Sequence, residues 1–132
     1  MLCEEDLTRL VSCEGIESMT IRLVDKPITR QQLKEMGEGQ FGGYVKAVVD
    51  VNRAIMAVGA DFHADEEAFL LERGSSQMDL WGINLHFDLQ PPDMVELDSV
   101  INIRPSQGNP SRGVQDPGVR ERIVEIATGL VQ

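Results

Sequence analysis

Two arginines, two serines and an asparagine fall between Arg104 and Gly113, in the order R-P-S-Q-G-N-P-S-R-G. A guanidinium presents a planar fork of donors that matches a carboxylate or a phosphate. The hydroxyls of Ser106 and Ser111 and the amide of Asn109 would orient such a group, and glycine amides would help cradle it. The expectation is that Arg104, Ser106, Asn109, Ser111 and Arg112 converge on an anion. Replacing Arg104 and Arg112 together by alanine should then abolish binding and leave the melting temperature nearly unchanged. A competing reading pairs Arg104 with an acid such as Asp98 or Glu96 and leaves Pro105 and Gly108 to shape a turn. Neither G-x-x-x-x-G-K-[ST] nor G-x-G-x-x-G occurs, so no nucleotide-phosphate motif is present.

A second constellation is His63-Ala64-Asp65-Glu66-Glu67. With Asp61, Asp65 or Glu67, His63 would offer an imidazole and carboxylates for a divalent metal or for acid–base hydrolysis. The plainer reading makes Asp65 a helix cap and the glutamates partners of the helix dipole. Metal sites usually need three or four converging ligands, and one well-placed histidine is a weak start. Trp81 alternates with Ile83 and Leu85 and reads as core. Asn84, on the other face of that strand, would join Asn102 and Asp98 in a polar floor below the arginine loop. No G-x-S-x-G elbow occurs, and Cys3 and Cys13 have no recognisable histidine partner, so nucleophilic catalysis finds no support.

These side chains need elements to hold them. Thr20 to Val24 has a strand pattern. Thr29 and Gln32 form a capping box for a helix carrying Leu33 and Met36, which ends near Gly37 and Gly39. Tyr44 to Val51 alternates, with Val45, Ala47, Val49 and Val51 on one face. Asp50 to Arg53 reads as a turn into a second strand, Ala54 to His63. A helix from Asp65 stops at Gly74. Leu80 to Phe87 and Val95 to Ile103 alternate on either side of Pro91-Pro92, a second hairpin. In the latter strand Ile101 and Ile103 share one face and Asn102 lies opposite. Asp116-Pro117 opens a last helix whose Val119, Ile123, Ile126 and Leu130 share a stripe. The order β-α-β-β-α-β-β-α implies an α+β domain, a largely antiparallel sheet of about five strands in two hairpins with three helices packed on it.

Composition bounds the rest. The 132 residues suit one domain. Hydrophobic residues are 42% and charged residues 26%, so a buried core rather than disorder is expected. No apolar run nears the ~20 residues of a membrane span, and the acidic start M-L-C-E-E-D lacks the basic region of a signal peptide. The cytoplasm is the expected compartment. Acids outnumber bases 22 to 12, for a net charge of −10, which opposes sequence-independent nucleic-acid binding. Residues 1–18 hold both cysteines and a short cluster of Leu7, Leu10 and Val11. They read as a peripheral extension to a single domain over residues 19–132.

Five stretches together carry a family resemblance: F-G-G-Y-V-K-A-V-V-D (41–50), I-M-A-V-G (55–59), H-A-D-E-E (63–67), D-L-W-G-I-N (79–84) and D-S-V-I-N-I-R-P-S-Q-G-N-P-S-R-G-V (98–114). From about Met19 onward the chain resembles the domain-of-unknown-function family numbered 5674. The resemblance implies no activity and no cofactor. It places residues 1–18 outside the shared domain and a tyrosine at the position of His86, against a catalytic role for that histidine. Three readings stand: a binding domain for an anionic small molecule or an acidic partner surface, a hydrolase built on His63, and an acidic inhibitor-like or antitoxin-like interaction module. An exposed sheet face would also admit a homodimer.

Overall fold

The computed structural model describes residues 21–37 and 43–132. The expectations for residues 1–18, for Met19 and Thr20 and for Gly39 and Phe41-Gly42 lie outside the described residues. Elsewhere five strands and three helices alternate as β1 (Arg22–Val24), α1 (Arg30–Met36), β2 (Val45–Asp50), β3 (Ile55–Val58), α2 (His63–Glu72), β4 (Leu80–Leu85), β5 (Val95–Glu96) and α3 (Pro117–Leu130). The strands form one antiparallel sheet in the order β1-β3-β2-β4-β5. An α+β domain with an antiparallel sheet and three helices is what the patterning implies, and it is what forms.

Side-chain alternation divides the sheet into two faces. Val45, Ala47, Val49, Trp81, Ile83 and Leu85 point to one face and meet Leu33 of α1 and Ile123, Ile126, Ala127 and Leu130 of α3. The helix starts follow the capping residues. The Thr29 hydroxyl accepts from the Gln32 amide while the Gln32 side chain accepts from the Thr29 amide. Asp116 accepts from the amides of Gly118 and Val119 ahead of Pro117. The opposite face is also apolar, at Val48, Ile55, Ala57 and Leu80, and α2 covers it through Leu70. Two helices therefore cover one face and the third covers the other.

β2 and β4 end within two residues of their alternation, at Val45–Asp50 and Leu80–Leu85, but two strands are much shorter than theirs. β3 stops at Val58, because Gly59 adopts a φ of 112° that turns the chain toward α2. α2 then starts at His63, two residues before the acids expected to open it. β5 holds only Val95 and Glu96, and the chain leaves the sheet after it. Ser99 caps a single 3-10 turn over Val100–Asn102, its hydroxyl accepting from the Ile101 amide. Asn102 turns inward and Ile103 outward, the reverse of a continuous strand. This irregular segment lies over Gly82, where a Cβ would come 2.5 Å from Ser99 Cβ and 3.2 Å from His63 Cδ2. Only glycine permits that approach.

Candidate functional site

The arginine loop is knotted to itself. Arg104 and Asn109 exchange backbone hydrogen bonds of 2.6 and 3.0 Å, and Gly108 closes the turn with a left-handed φ of 78°. Asn109 is buried, its amide donating to the carbonyls of Asn102, Ser111 and Gly113 while its oxygen accepts from the Gln115 amide. Ser111 Oγ accepts from the Gly113 amide and from Gln115 Nε2. Ser106 is exposed at the loop tip. Asn102, fully buried, pairs with both backbone groups of Gly82 as a neighbouring strand would. Its Oδ1 accepts from the Gly82 amide at 2.8 Å and its Nδ2 donates to the Gly82 carbonyl at 3.0 Å and to the Arg112 carbonyl at 2.9 Å.

Arg104 departs furthest from expectation. It is 8% exposed, and its guanidinium donates to the backbone carbonyls of Ile101, Gln77 and Leu80 and to Gln107 Oε1. It also lies 4.5 Å from the Trp81 ring centroid. Burial lowers its pKa, with the Glu67 carboxylate opposing that shift. A guanidinium remains charged even so. Its donors satisfy carbonyls that the irregular chain leaves without strand partners, so Arg104 braces the fold. Neither Asp98 nor Glu96 is its partner, and it does not share a solvent-open hollow with Arg112.

Arg112 takes the other course. It is half exposed, and its Nε donates to Asp98 Oδ1 at 2.6 Å, a contact that raises its pKa. Together with Lys46 and Tyr44 from the start of β2, it lines a groove of about 250 Å³. Phe62, His63 and Ala64 at the start of α2 form the adjoining wall, with Asn84 of β4 and Ser99 below. The strand register explains this convergence. Lys46 pairs with Asn84 across β2 and β4, so both occupy the face that α2 covers only in part.

His63 and Asn84 belong to this groove, and the expected metal constellation does not form. His63 is buried with its Nε2 2.7 Å from the Ile83 carbonyl. A carbonyl only accepts, so the ring hydrogen is on Nε2 and the lone pair on Nδ1. Burial lowers the His63 pKa, and the bond to Ile83 pulls it back up. The imidazole is therefore neutral near pH 7. Among the described residues no three His, Cys, Asp or Glu side chains gather as a metal would require. Asp61 is exposed, and the Glu67 carboxylate is close enough to Arg104 to oppose the lowering of its pKa. Helical geometry separates side chains that sequence proximity places together.

The N-terminus of α2 opens into the groove without a side-chain cap, because its N-cap is Phe62. First-turn amides concentrate partial positive charge and suit an anion. Sequence reasoning missed Lys46, Tyr44 and Phe62. Lys46 carried a usable signal, as the one base interrupting the apolar alternation of β2. A second depression of about 520 Å³ lies on α3 beside Leu97, lined by Arg120, Glu121 and Glu125. It gathers none of the candidate residues.

These features define a small α+β domain with a groove at one helix start. The chain belongs to the family described as Protein of unknown function (DUF5674), whose model matches residues 22–130. Neither a curated protein nor a solved structure matches the chain. No described helix is long and apolar enough to cross a membrane.

Proposed function

We propose that this domain binds a small anionic molecule in the groove between the start of α2, β2, β4 and Arg112. The observation that carries the reading is convergence. Lys46, Arg112 and the uncapped α2 N-terminus come from three separate segments and line one groove, in a chain whose net charge is −10. Asp98 also lines the groove and pairs with Arg112, so the lining sets two cations against one acid, in contrast with the acidic chain as a whole. Arg112 keeps donors beyond the one committed to Asp98, enough to hold a carboxylate or phosphate.

Of the residues expected to bind, Arg112 and Asn84 remain in this reading; His63 lines the groove with an acceptor nitrogen and offers an anion no donor. Arg104, Asn102 and Asn109 act as scaffold. Calorimetric titration with inorganic phosphate and with phenylacetate tests the proposal. Saturable binding that weakens with salt, and on the order of tenfold in Arg112→Ala, supports it. Equal affinity in wild type and Arg112→Ala would contradict it.

A further inference from the structure

His63 presents a nitrogen that anion binding leaves unused. The side chain is 8% exposed and lines the groove. Its Cδ2 lies over Gly82 and its Nε2 donates to the Ile83 carbonyl at 2.7 Å, so this edge of the ring faces the sheet. Nδ1 lies on the opposite edge and carries the lone pair. Among the described residues no hydrogen-bond donor reaches it. The unpartnered side-chain atoms that are closed to solvent are Glu66 Oε1, Glu67 Oε2 and Asn84 Oδ1, again among the described residues. Nδ1 is not one of them, and the opening that His63 lines is the groove. A neutral imidazole whose other nitrogen is held by a carbonyl is a competent nucleophile.

The surroundings select the electrophile. An anion at rest gains nothing from a lone pair, whereas an electrophilic phosphorus accepts it. Lys46, Asp98 and Arg112 line the groove and all act on the charge of His63, so two cations and one acid surround this ring. Asp98 opposes an incoming anion. Its bond to Arg112 uses Nε, however, and leaves the terminal guanidinium nitrogens uncommitted. The amides of Asp65 and Glu66 donate to the Phe62 carbonyl, which leaves those of His63 and Ala64 at the uncapped start of α2. Helix starts of this kind hold phosphate. A phosphoryl group on Nδ1 brings charged oxygens that these donors answer, whereas a neutral acyl group would leave them idle. The volume of about 250 Å³ falls below the ~300–1,000 Å³ of drug-sized sites, which calls for a compact donor.

Resting on the anion reading above, we propose that His63 Nδ1 is a phosphoryl-acceptor site served by a small activated phosphoryl donor. The Nδ1 lone pair forms a bond to phosphorus while the donor's bond to its leaving group breaks, and the leaving group departs with that electron pair. Nε2 keeps its proton, so the ring becomes cationic and its bond to the Ile83 carbonyl strengthens. Phosphoramidate, whose leaving group is ammonia, is the probe. Intact mass, fragment mapping and phosphorus NMR follow its reaction with the wild-type protein. His86 is the internal control, because its side chain is 27% exposed and its Nε2 lies against Glu96 Oε1. One acid-labile phosphoryl group is expected, on His63 Nδ1, formed on the order of tenfold more slowly in Arg112→Ala. His63→Gln should take up none, with a melt confirming its fold, and the wild-type mapping stands if that variant fails to fold. Modification of His86 first, attachment at His63 Nε2 or no uptake would overturn the acceptor assignment. An unchanged rate in Arg112→Ala would overturn the part of the groove in it. Binding of inorganic phosphate without transfer sinks this inference and leaves anion binding intact, whereas transfer without saturable phosphate binding sinks the anion reading instead.

Discussion

Replacing Arg104 by alanine should destabilise the fold severely. The carbonyls of Ile101, Gln77 and Leu80 and Gln107 Oε1 all lose the guanidinium, and Gln77 keeps only its bond from the Leu80 amide. A hydrogen bond to a charged donor contributes roughly 1.5–3 kcal/mol, but burying the guanidinium offsets part of this. Taking about 1 kcal/mol net for each carbonyl gives about 3 kcal/mol. Losing the contact with Trp81 adds to that loss. With an unfolding entropy of about 0.25 kcal/mol/K for a chain of this size, the melting temperature falls by about 12 °C. Arg104→Lys keeps the charge but not the planar fork, and one ammonium cannot reach all three carbonyls. It should lose about 2 kcal/mol, or about 8 °C. Thermal melts by circular dichroism, with urea titrations alongside, measure both variants. A melting temperature within about 2 °C of wild type in Arg104→Ala, combined with lost anion binding, would refute the bracing role and return Arg104 to the ligand.

Other outcomes follow from the same contacts. Asn102→Ala removes three hydrogen bonds and leaves the Gly82 amide and carbonyl without side-chain partners, at a cost of about 3 kcal/mol. Amide exchange at Gly82 should accelerate with it. Gly82→Ala places a Cβ 2.5 Å from Ser99 Cβ and should cost about 1–3 kcal/mol, measured by urea unfolding. Glu66 is fully buried, and burial pushes its pKa well above 4.5, with the Ala60 and Gly59 amides pulling it back. The folded carboxyl thus holds its proton more tightly than the unfolded one. The stability it contributes is complete below about pH 4.5 and lost as pH rises through the folded value. Glu66→Gln should flatten that loss in melts recorded across pH. His63 has the opposite sense, because burial lowers its pKa below 6.5. Stability is lost as pH falls from about 6.5 through its folded value, and His63→Gln should remove that slope.

The elements were legible wherever local chemistry decides them. Thr29 with Gln32 and Asp116 with Pro117 mark helix starts whose caps are contained within four residues. The alternation of Val45 to Val51 and of Trp81 to Leu85 identified the face that packs on α1 and α3. Alternation misled at Val95 to Ile103, because Ser99 diverts the chain into a 3-10 turn and the Asn102 side chain replaces the missing strand pairing. Nothing local distinguishes an asparagine on a strand's outer face from one that substitutes for backbone.

The site was legible only in pieces. Arg112 and Asn84 were marked in one constellation, with Asn84 in the polar floor below the arginine loop, and His63 in another. Joining them takes the β2–β4 register, which sets Lys46 opposite Asn84, and the early start of α2, which brings His63 over Gly82. Arg104 looked equivalent to Arg112 because composition does not reveal which guanidinium faces carbonyl oxygens. That distinction depends on tertiary placement, since Gln77 and Leu80 lie more than twenty residues away in sequence.

An amide NMR titration of the wild-type protein with phenylacetate distinguishes the groove from the arginine loop most directly. Saturable shifts are expected at the His63 and Ala64 amides, with Gly108 and Asn109 unmoved. Shifts centred on residues 104–109, or none at the start of α2, would contradict the groove as the anion site.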